Sequence, residues 1–278
     1  MIFVLFVVYN TVFIPKEQID KEQSGLRFVL FDNSTEEAIR KENRKNCFSL
    51  GISYETENAN VGLSKAYNSV IRKYLQKDED WLLIQDADSS LGKEYYSLLQ
   101  KEIRESSFEV YSPINVDKKD GRIDSPRRIR NSSLFATEEV DLKKEKDGFL
   151  MSINNGLLIK KSAFDKIGLY DERIFLYFTD SYFFFMLREK GIKTRVINFR
   201  NMCDFSFSNL DHTKLKKKLG LMKKDGKTFY SIAYHIEKKP ILGFFHYHLF
   251  FLKKAWECAK QTKKRYFLSY LFTRKAKI

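Results

Sequence analysis

Four short, mostly apolar runs, unbroken at 2–8 and nearly so at 26–31, 47–52 and 81–85, punctuate the first third of this chain. A strand with one wet face alternates apolar and polar residues. A strand covered on both faces has no reason to alternate, and central parallel strands are covered on both. The intervals between the runs are of helix length. The clearest helical pattern is Leu63, Ala66, Tyr67, Val70, Ile71, Tyr74 and Leu75, at offsets of 0, 3, 4, 7, 8, 11 and 12, which is one face of a helix. Strand and helix in alternation predict a right-handed doubly wound α/β sheet. Such a sheet binds its ligand beyond the carboxyl ends of the strands.

The first run, at 2–8, resembles the apolar centre of a leader peptide. It lacks a basic stretch before it and passes straight into Tyr9 and Asn10, so it reads as the buried first strand. From about 112 to 148 the apolar pattern dissolves into polar and charged residues, which predicts a long surface excursion of the kind that carries specificity. Order returns at 149–160 as a strand-like segment containing Asn154, Asn155 and Gly156. A short helix follows from Ser162 to a stop at Gly168, then extended chain at 175–178, a helix begun by Asp180, and a strand near 194–197.

Charge divides the chain in two. From Lys214 onward there are 18 Lys and Arg against three acids, a net of +15, whereas residues 1–213 carry 32 bases and 33 acids. An anionic surface is therefore expected to meet the tail and not the body. Ile241, Phe244, Phe245, His248, Leu252, Ala255, Trp256 and Ala259 recur at helical spacing, with Phe250, Phe251, Lys253, Lys254 and Lys260 on the flanks. Basic and aromatic residues continue from Lys263 to Lys277. An aromatic-aliphatic helix flanked by lysines is the pattern of a helix lying in a membrane interface, so 241–278 is expected to bind an anionic membrane surface. The bland alternative is a helical appendage docked on the core with a solvated lysine face. Nucleic acid is the weaker expectation, because no RNA- or DNA-reading motif accompanies the basic charge. No run approaches the roughly 18 continuous apolar residues of a spanning helix. The three cysteines, Cys47, Cys203 and Cys258, are widely separated, which argues neither for a disulfide framework nor for a zinc site.

The chemistry-bearing feature is Asp86-Ala87-Asp88 at the exit of the fourth apolar run. Two carboxylates two residues apart can reach one hard divalent cation, directly or through water. Alone, such a pair is as readily a solvated turn. In series, VVYN at 7–10, FDNST at 31–35, NVGLSKAYN at 60–68, LIQDADS at 83–89, INNGLLI at 153–159 and FLYFTDSYFFFMLREKG at 175–191 resemble family-2 glycosyltransferases of the GT-A fold. Within that family the series is most similar to the rhamnosyl- and galactofuranosyl-transferase branch of bacterial surface-polysaccharide synthesis.

The resemblance covers roughly residues 1–200 and implies an α/β fold. It is a GT-A-like doubly wound mixed sheet with a Rossmann-like nucleotide-binding half and an acceptor half. The expected division is a glycosyltransferase domain at 1–210 and a basic, aromatic helical segment at 211–278. The resemblance further implies inverting transfer of rhamnose, galactofuranose or another hexose, from a nucleoside diphosphate sugar to a lipid-linked glycan acceptor. The expected place is the cytoplasmic face of a bacterial inner membrane. Residue by residue, Tyr9 and Asp32 line the base pocket, with Asp32 accepting a hydrogen bond from the pyrimidine. Asn60 and Gly62 form the turn at the nucleotide, and Lys65 faces a phosphate. Asp86 contacts the ribose or metal-bound water, and Asp88 is the principal ligand of Mg²⁺ or Mn²⁺. Asp180 is the catalytic carboxylate, at a helix start where Asp otherwise serves most often as an N-cap. Asn154 and Asn155 contact the acceptor.

Two positions depart from the family pattern. Tyr177 stands where another acid is common, and no His precedes His212 beyond the catalytic helix, which leaves His212 or Asp204 as the substitute metal ligand. A catalytically silent sugar-nucleotide- or glycan-binding subunit is the alternative that these departures suggest.

Overall fold

The structure, a computed structural model, describes residues 1–15, 25–129, 137–141, 144–204 and 212–262. The first half builds β1 (Ile2–Val8), β2 (Leu26–Asp32), α1 (Glu37–Leu50), β3 (Ser53–Glu55), α2 (Leu63–Tyr74), β4 (Trp81–Ile84) and α3 (Gly92–Glu105). The chain then makes β5 (Val110–Asp117), β6 (Ile123–Ser125), β7 (Arg127–Ile129), β8 (Thr137–Glu138), β9 (Asp147–Gly148), β10 (Leu150–Met151) and β11 (Leu157–Lys160). It closes with α4 (Lys161–Ile167), α5 (Thr179–Glu189), β12 (Thr194–Cys203), α6 (His212–Ile236) and α7 (Pro240–Thr262).

The main sheet runs in the order β3-β2-β1-β4-β11-β5-β12-β9, with β6 beside β5. Strands β1 to β4 are mutually parallel where they pair, and β12 is parallel to β5. β11 lies antiparallel between β4 and β5, which makes the sheet mixed. A small second sheet joins β10, β7 and β8.

The unbroken apolar character of β1 follows from its two covered faces. Phe3 and Leu5 join Tyr67, Val70 and Ile71 of α2 in one core, while Ile2, Val4, Phe6 and Val8 join Cys47 of α1 and Tyr95 and Leu99 of α3 in another. Because the sheet order reverses about β1, the carboxyl ends of β1 and β4 part there and leave a crevice.

Two expectations need correction. Residues 47–50 are not strand but the last turn of α1, with Cys47 wholly buried and Gly51 ending the helix at φ +68°. A brief apolar run cannot by itself separate a buried strand from the inner face of a helix end. The excursion also begins later than 112, because β5 is buried along its whole length to Asp117. Its polar residues satisfy one another inside the protein. Ser112 Oγ donates to Ser152 Oγ at 2.7 Å, and Asn115 Nδ2 donates to Ser125 Oγ at 3.1 Å. Asn201 Nδ2 reaches Asn115 Oδ1 at 2.8 Å. The segment 175–178, expected to be extended, is a turn with Phe178 at φ +68°, and α5 starts at Thr179.

The hairpin of α6 and α7 is sewn onto α5. Phe229, Tyr230, Ala233 and Tyr234 of α6 share a core with Ile174 and Phe185, and Glu237 pairs with Arg188 at the far end of α5 at 2.5 Å. At the near end stands Asp225, fully buried. Its carboxylate accepts the backbone N–H groups of Phe175 at 3.1 Å, Leu176 at 2.8 Å and Tyr177 at 2.9 Å. On the opposite side the same loop gives the Phe175 carbonyl to the N–H of Leu63 at 2.7 Å. The turn into α5 is thus gripped from α2 and from α6. α7 in turn lies close on α6, where a Cβ at Gly243 would come within 2.6 Å of the Tyr234 side chain.

Replacing Asp225 with Ala leaves three partly buried N–H groups without their acceptor, each costing about 1 kcal/mol or more. A loss of about 3 kcal/mol or more in urea unfolding is expected, with Asp225→Asn in between. Gly62, the residue before α2, holds φ +84° and ψ 171°, and a Cβ there would lie 2.6 Å from the Phe175 carbonyl oxygen. That backbone region belongs to glycine, so Gly62→Ala should destabilise by about 2 kcal/mol or more in the same measurement.

Candidate active site

Strand β4 ends at Ile84 and delivers Asp86 and Asp88 to the crevice, and the first turn of α5 delivers Asp180 to the same place. The electrostatics record the convergence. The carboxyl of Asp86 is pushed up to about 6, first by the protein packed around it and then by the charges of Asp88 and Asp180. Asp86 nevertheless reaches solvent, the situation of a group on the floor of an open concavity. Asp180 is half-buried, and burial likewise raises its carboxyl. The N–H of Ser181, at 2.7 Å from Asp180 Oδ1, acts against that rise, and Asp124 adds to it. Tyr67 of α2 stands between these acids. Burial raises its phenol well above the ordinary range, and the charges of Asp86 and Asp180 both add to the rise.

The Asp86–Asp88 turn is held by β11's approach. Asn155, nearly fully buried, accepts the N–H of Asp86 at 3.1 Å and the hydroxyl of Ser89 at 3.0 Å. Its amide Nδ2 points to Cys203 Sγ at 3.5 Å. Asn155 therefore braces the acidic turn from below and is not placed to touch an acceptor, contrary to expectation. Asn154 is closer to that description. It hydrogen-bonds Tyr67, reaches Thr179 Oγ1 at 3.5 Å, and its Oδ1 has no partner among the described residues.

Past the end of β1, Tyr9 is 54% exposed. Asp32, at the end of β2, has no exposed surface. Its oxygens accept the Ser34 N–H at 2.9 Å, Asn43 Nδ2 at 2.8 Å and the Tyr54 hydroxyl at 3.1 Å. The expectation that Asp32 meets a base directly is corrected accordingly: it orders the wall of the pocket from inside. Asn60 Oδ1 accepts the Gly62 N–H at 3.1 Å, and Asn33 ties that turn to β2 through Val61 at 3.2 Å and Gly62 at 3.3 Å. Lys65, on the first turn of α2, is half-exposed and 4.0 Å from Glu57.

Asn33, Tyr67, Asp124 and Asp225 escaped the reading of the sequence. Asn33 lies inside a motif already singled out, so its position was visible and only its partner was not. Asp124 and Asp225 sit in stretches whose local pattern carries no sign of what they touch.

For a divalent cation, the chain offers Asp86 and Asp88. Among the described residues no group of three His, Cys, Asp or Glu is placed to hold a metal. Two carboxylates suit Mg²⁺ or Mn²⁺ that takes its other ligands from a diphosphate and water, and the mutual repulsion at Asp86 is what such a cation would relieve. Asp204 follows Cys203, whose thiol is raised to about 11 by burial and feels both Asp86 and Asp88, so that exposed carboxylate sits at the same end of the sheet. The side chain of His212 lies outside the described residues.

Comparison with known proteins gives this geometry a family. Residues 21–168 match the model of "Glycosyl transferase family 2". A curated relative, dTDP-rhamnosyl transferase RfbF of Shigella flexneri, is 24% identical over 140 residues, which are 50% of this chain and 47% of the relative. The match therefore spans about half the length of that relative. Among solved structures, the mannosyltransferase PcManGT from Pyrobaculum calidifontis in complex with GDP-Man and Mn²⁺ superposes with a TM-score of 0.56 at 12% identity, covering 99% of this chain and 76% of that one. GalNAc-T7 with UDP, GalNAc and Mn²⁺ gives a TM-score of 0.54 at 14% identity, over 84% of this chain and 49% of that one. The fold is accordingly GT-A, a mixed sheet with C-terminal helices added. With more than half of its length matched by the family model, this chain belongs to glycosyl transferase family 2.

Proposed function

We propose that the chain moves one sugar from a nucleoside diphosphate donor to an acceptor hydroxyl with inversion, using Asp180 as the general base. The observation that carries this reading is the meeting of Asp86, Asp88 and Asp180 in one crevice beyond β1 and β4. A base must be ionised to take a proton and must hold it once taken. Burial and neighbouring acids strengthen Asp180's hold on a proton, while the Ser181 N–H and the start of α5 keep the anion accessible. The oxygen that Asp180 deprotonates attacks the anomeric carbon as the bond to the diphosphate breaks. Asp86 and Asp88 would hold Mg²⁺ or Mn²⁺, which neutralises the departing diphosphate. Tyr9 at the rim, the Asn60–Gly62 turn and Lys65 form the nucleotide side. Asn154, beside Thr179, is the acceptor contact of this proposal.

Among donors, dTDP-rhamnose leads, on the likeness to a protein named for that activity, with UDP-galactofuranose and UDP-hexoses behind it. The acceptor we assign is a lipid-linked glycan of bacterial polysaccharide synthesis, O-antigen or capsule, met at the cytoplasmic face of the inner membrane. Support for the membrane comes from α7. Ile241, Phe245, Leu249, Leu252 and Trp256 are 48–74% exposed on one face of the helix, and Phe244 is 61% exposed at its edge, beside the stripe on which Phe251 and Ala255 are buried. Phe251 was expected on the flank and is instead the residue that seats α7 on α6. Exposed lysines stand just before the helix, Lys238 and Lys239, and on it, Lys253 and Lys260, each contributing about 1 kcal/mol near an anionic leaflet. No helix among the described residues is long and apolar enough to cross a membrane, so the attachment is peripheral in this reading. Residues 263–278, the rest of the expected membrane segment, lie outside the described residues.

Incubated with a donor panel and a lipid-linked acceptor, the protein should release nucleoside diphosphate. Asp180→Asn should lower kcat by roughly 10²–10⁴-fold with nucleotide binding intact, and native turnover in that variant would refute the base assignment. In flotation with phosphatidylglycerol vesicles, the native chain should rise with the lipid. Phe244→Ser, Phe245→Ser and Trp256→Ser together should leave it at the bottom, with its unfolding midpoint preserved.

A further inference from the structure

A cavity of about 560 Å³ opens between β10, α5 and the α6–α7 hairpin. Its inner end is formed by Phe178 and Ser181, the residues that bracket Thr179 and Asp180. Its floor is aromatic. Phe178 stacks on Phe229 at 5.4 Å between ring centroids and meets Tyr230 edge-on at 5.8 Å, while Phe250 of α7 closes on Phe178 at 5.4 Å. At the outer end stand Leu249, Lys253 and Lys254. Leu249 is also one of the exposed apolar residues of α7, 60% accessible, so the cavity mouth is continuous with the face assigned above to the lipid surface.

Cationic charge is concentrated at that mouth. Lys253 is exposed, and Lys254 is half-buried over the ring of Phe250 at 5.9 Å. Glu257 pairs with Lys254 at 2.8 Å, a partly exposed ion pair of small net strength that an incoming anion can exchange. Behind them Lys218 of α6 is held below its ordinary range, first by burial and then by the charge of Lys254. An anion at the mouth meets the ammonium groups of Lys253 and Lys254, the two cations that line the cavity. The cavity therefore presents an aromatic chamber that begins at the catalytic turn, a cationic mouth, and an apolar rim facing lipid.

We infer that this cavity holds the phosphate-bearing end of a lipid-anchored acceptor. The acceptor sugar lies over the Phe178–Tyr230–Phe250 rings, its phosphate lies between Lys253 and Lys254, and its apolar chain leaves past Leu249. The inference rests on the transfer reading above and adds to it the place and the chemistry of the second substrate. Such an order of parts puts a sugar hydroxyl beside Ser181, and so within reach of Asp180, only when the anchor stays in the lipid layer.

The test is calorimetric and requires no turnover. Farnesyl diphosphate serves as the probe, titrated into the full chain carrying Asp180→Asn. Saturable binding is expected, with inorganic diphosphate and farnesol each at least tenfold weaker. Lys253→Gln with Lys254→Gln should weaken the farnesyl diphosphate at least tenfold and leave farnesol unchanged. The triple change at Phe244, Phe245 and Trp256, none of which lines the cavity, should leave farnesyl diphosphate binding intact. Equal affinity for inorganic and farnesyl diphosphate would overturn the proposal in favour of a simple anion site. Loss of binding in the triple variant would overturn it in favour of the outer face of α7. Full turnover by Asp180→Asn alongside normal farnesyl diphosphate binding would sink the assignment of the base and leave the cavity standing. An inactive Asp180→Asn that also fails to bind the probe would do the reverse.

Discussion

The charges of Asp88 and Asp180 both bear on the buried carboxyl of Asp86, and several hydrogen bonds fix the turns that carry these acids. The effect is written in Asp86, whose carboxyl is raised to about 6 by packing and by the two neighbouring charges. The restraint comes from several directions. Asn155 fixes the turn that carries Asp86 by a hydrogen bond from below. Asp225 fixes the turn that leads into Asp180 with three backbone N–H groups, and α2 takes hold of the same turn through Leu63. In the transfer proposed above, a cation and a diphosphate would answer the charge held at Asp86, which is the electrostatic logic of preorganised sites.

The nucleotide half was largely legible from the residues. β1, β2 and β4 are apolar because both faces of each are covered, and that leaves a pattern that short segments display without knowledge of their partners. α2 followed from its period in the same way. The end of α1 did not, since Cys47 and its neighbours satisfy a buried strand and a buried helix turn equally well, and only Gly51 in the left-handed region decides between them. β5 was harder still. Ser112 and Asn115 look solvated, and their burial depends on Ser125, Ser152 and Asn201, the last two from distant parts of the chain.

The site shows the same division. Asp86, Asp88 and Asp180 stand out by their place relative to strands and helices, which is why the transfer proposed above is built on them. Asp32 and Asn155 stood out equally, yet the structure turns both inward. What separates a substrate contact from a brace is the direction of a side chain, and direction is set by partners such as Asn43, Tyr54 and Ser89 that no spacing reveals. Asp225 is the extreme case. It is an acid on a lysine-rich helix, and nothing nearby in sequence marks it as the anchor of a turn 48–50 residues earlier.

The reversal of β11 has a consequence for how such a protein can diversify. Because that strand enters the sheet where β4 leaves it, loops arriving from opposite directions meet on a single rim: the acidic turn from one side, and Met151 to Gly156 from the other. An all-parallel sheet would send every entering loop to the opposite edge. Here the segment ahead of β11 can lengthen, shorten or change its residues while β1, β2 and β4 keep their spacing. One half of the rim is thereby free to drift towards new partners, and the other half stays bound to an unchanging reaction.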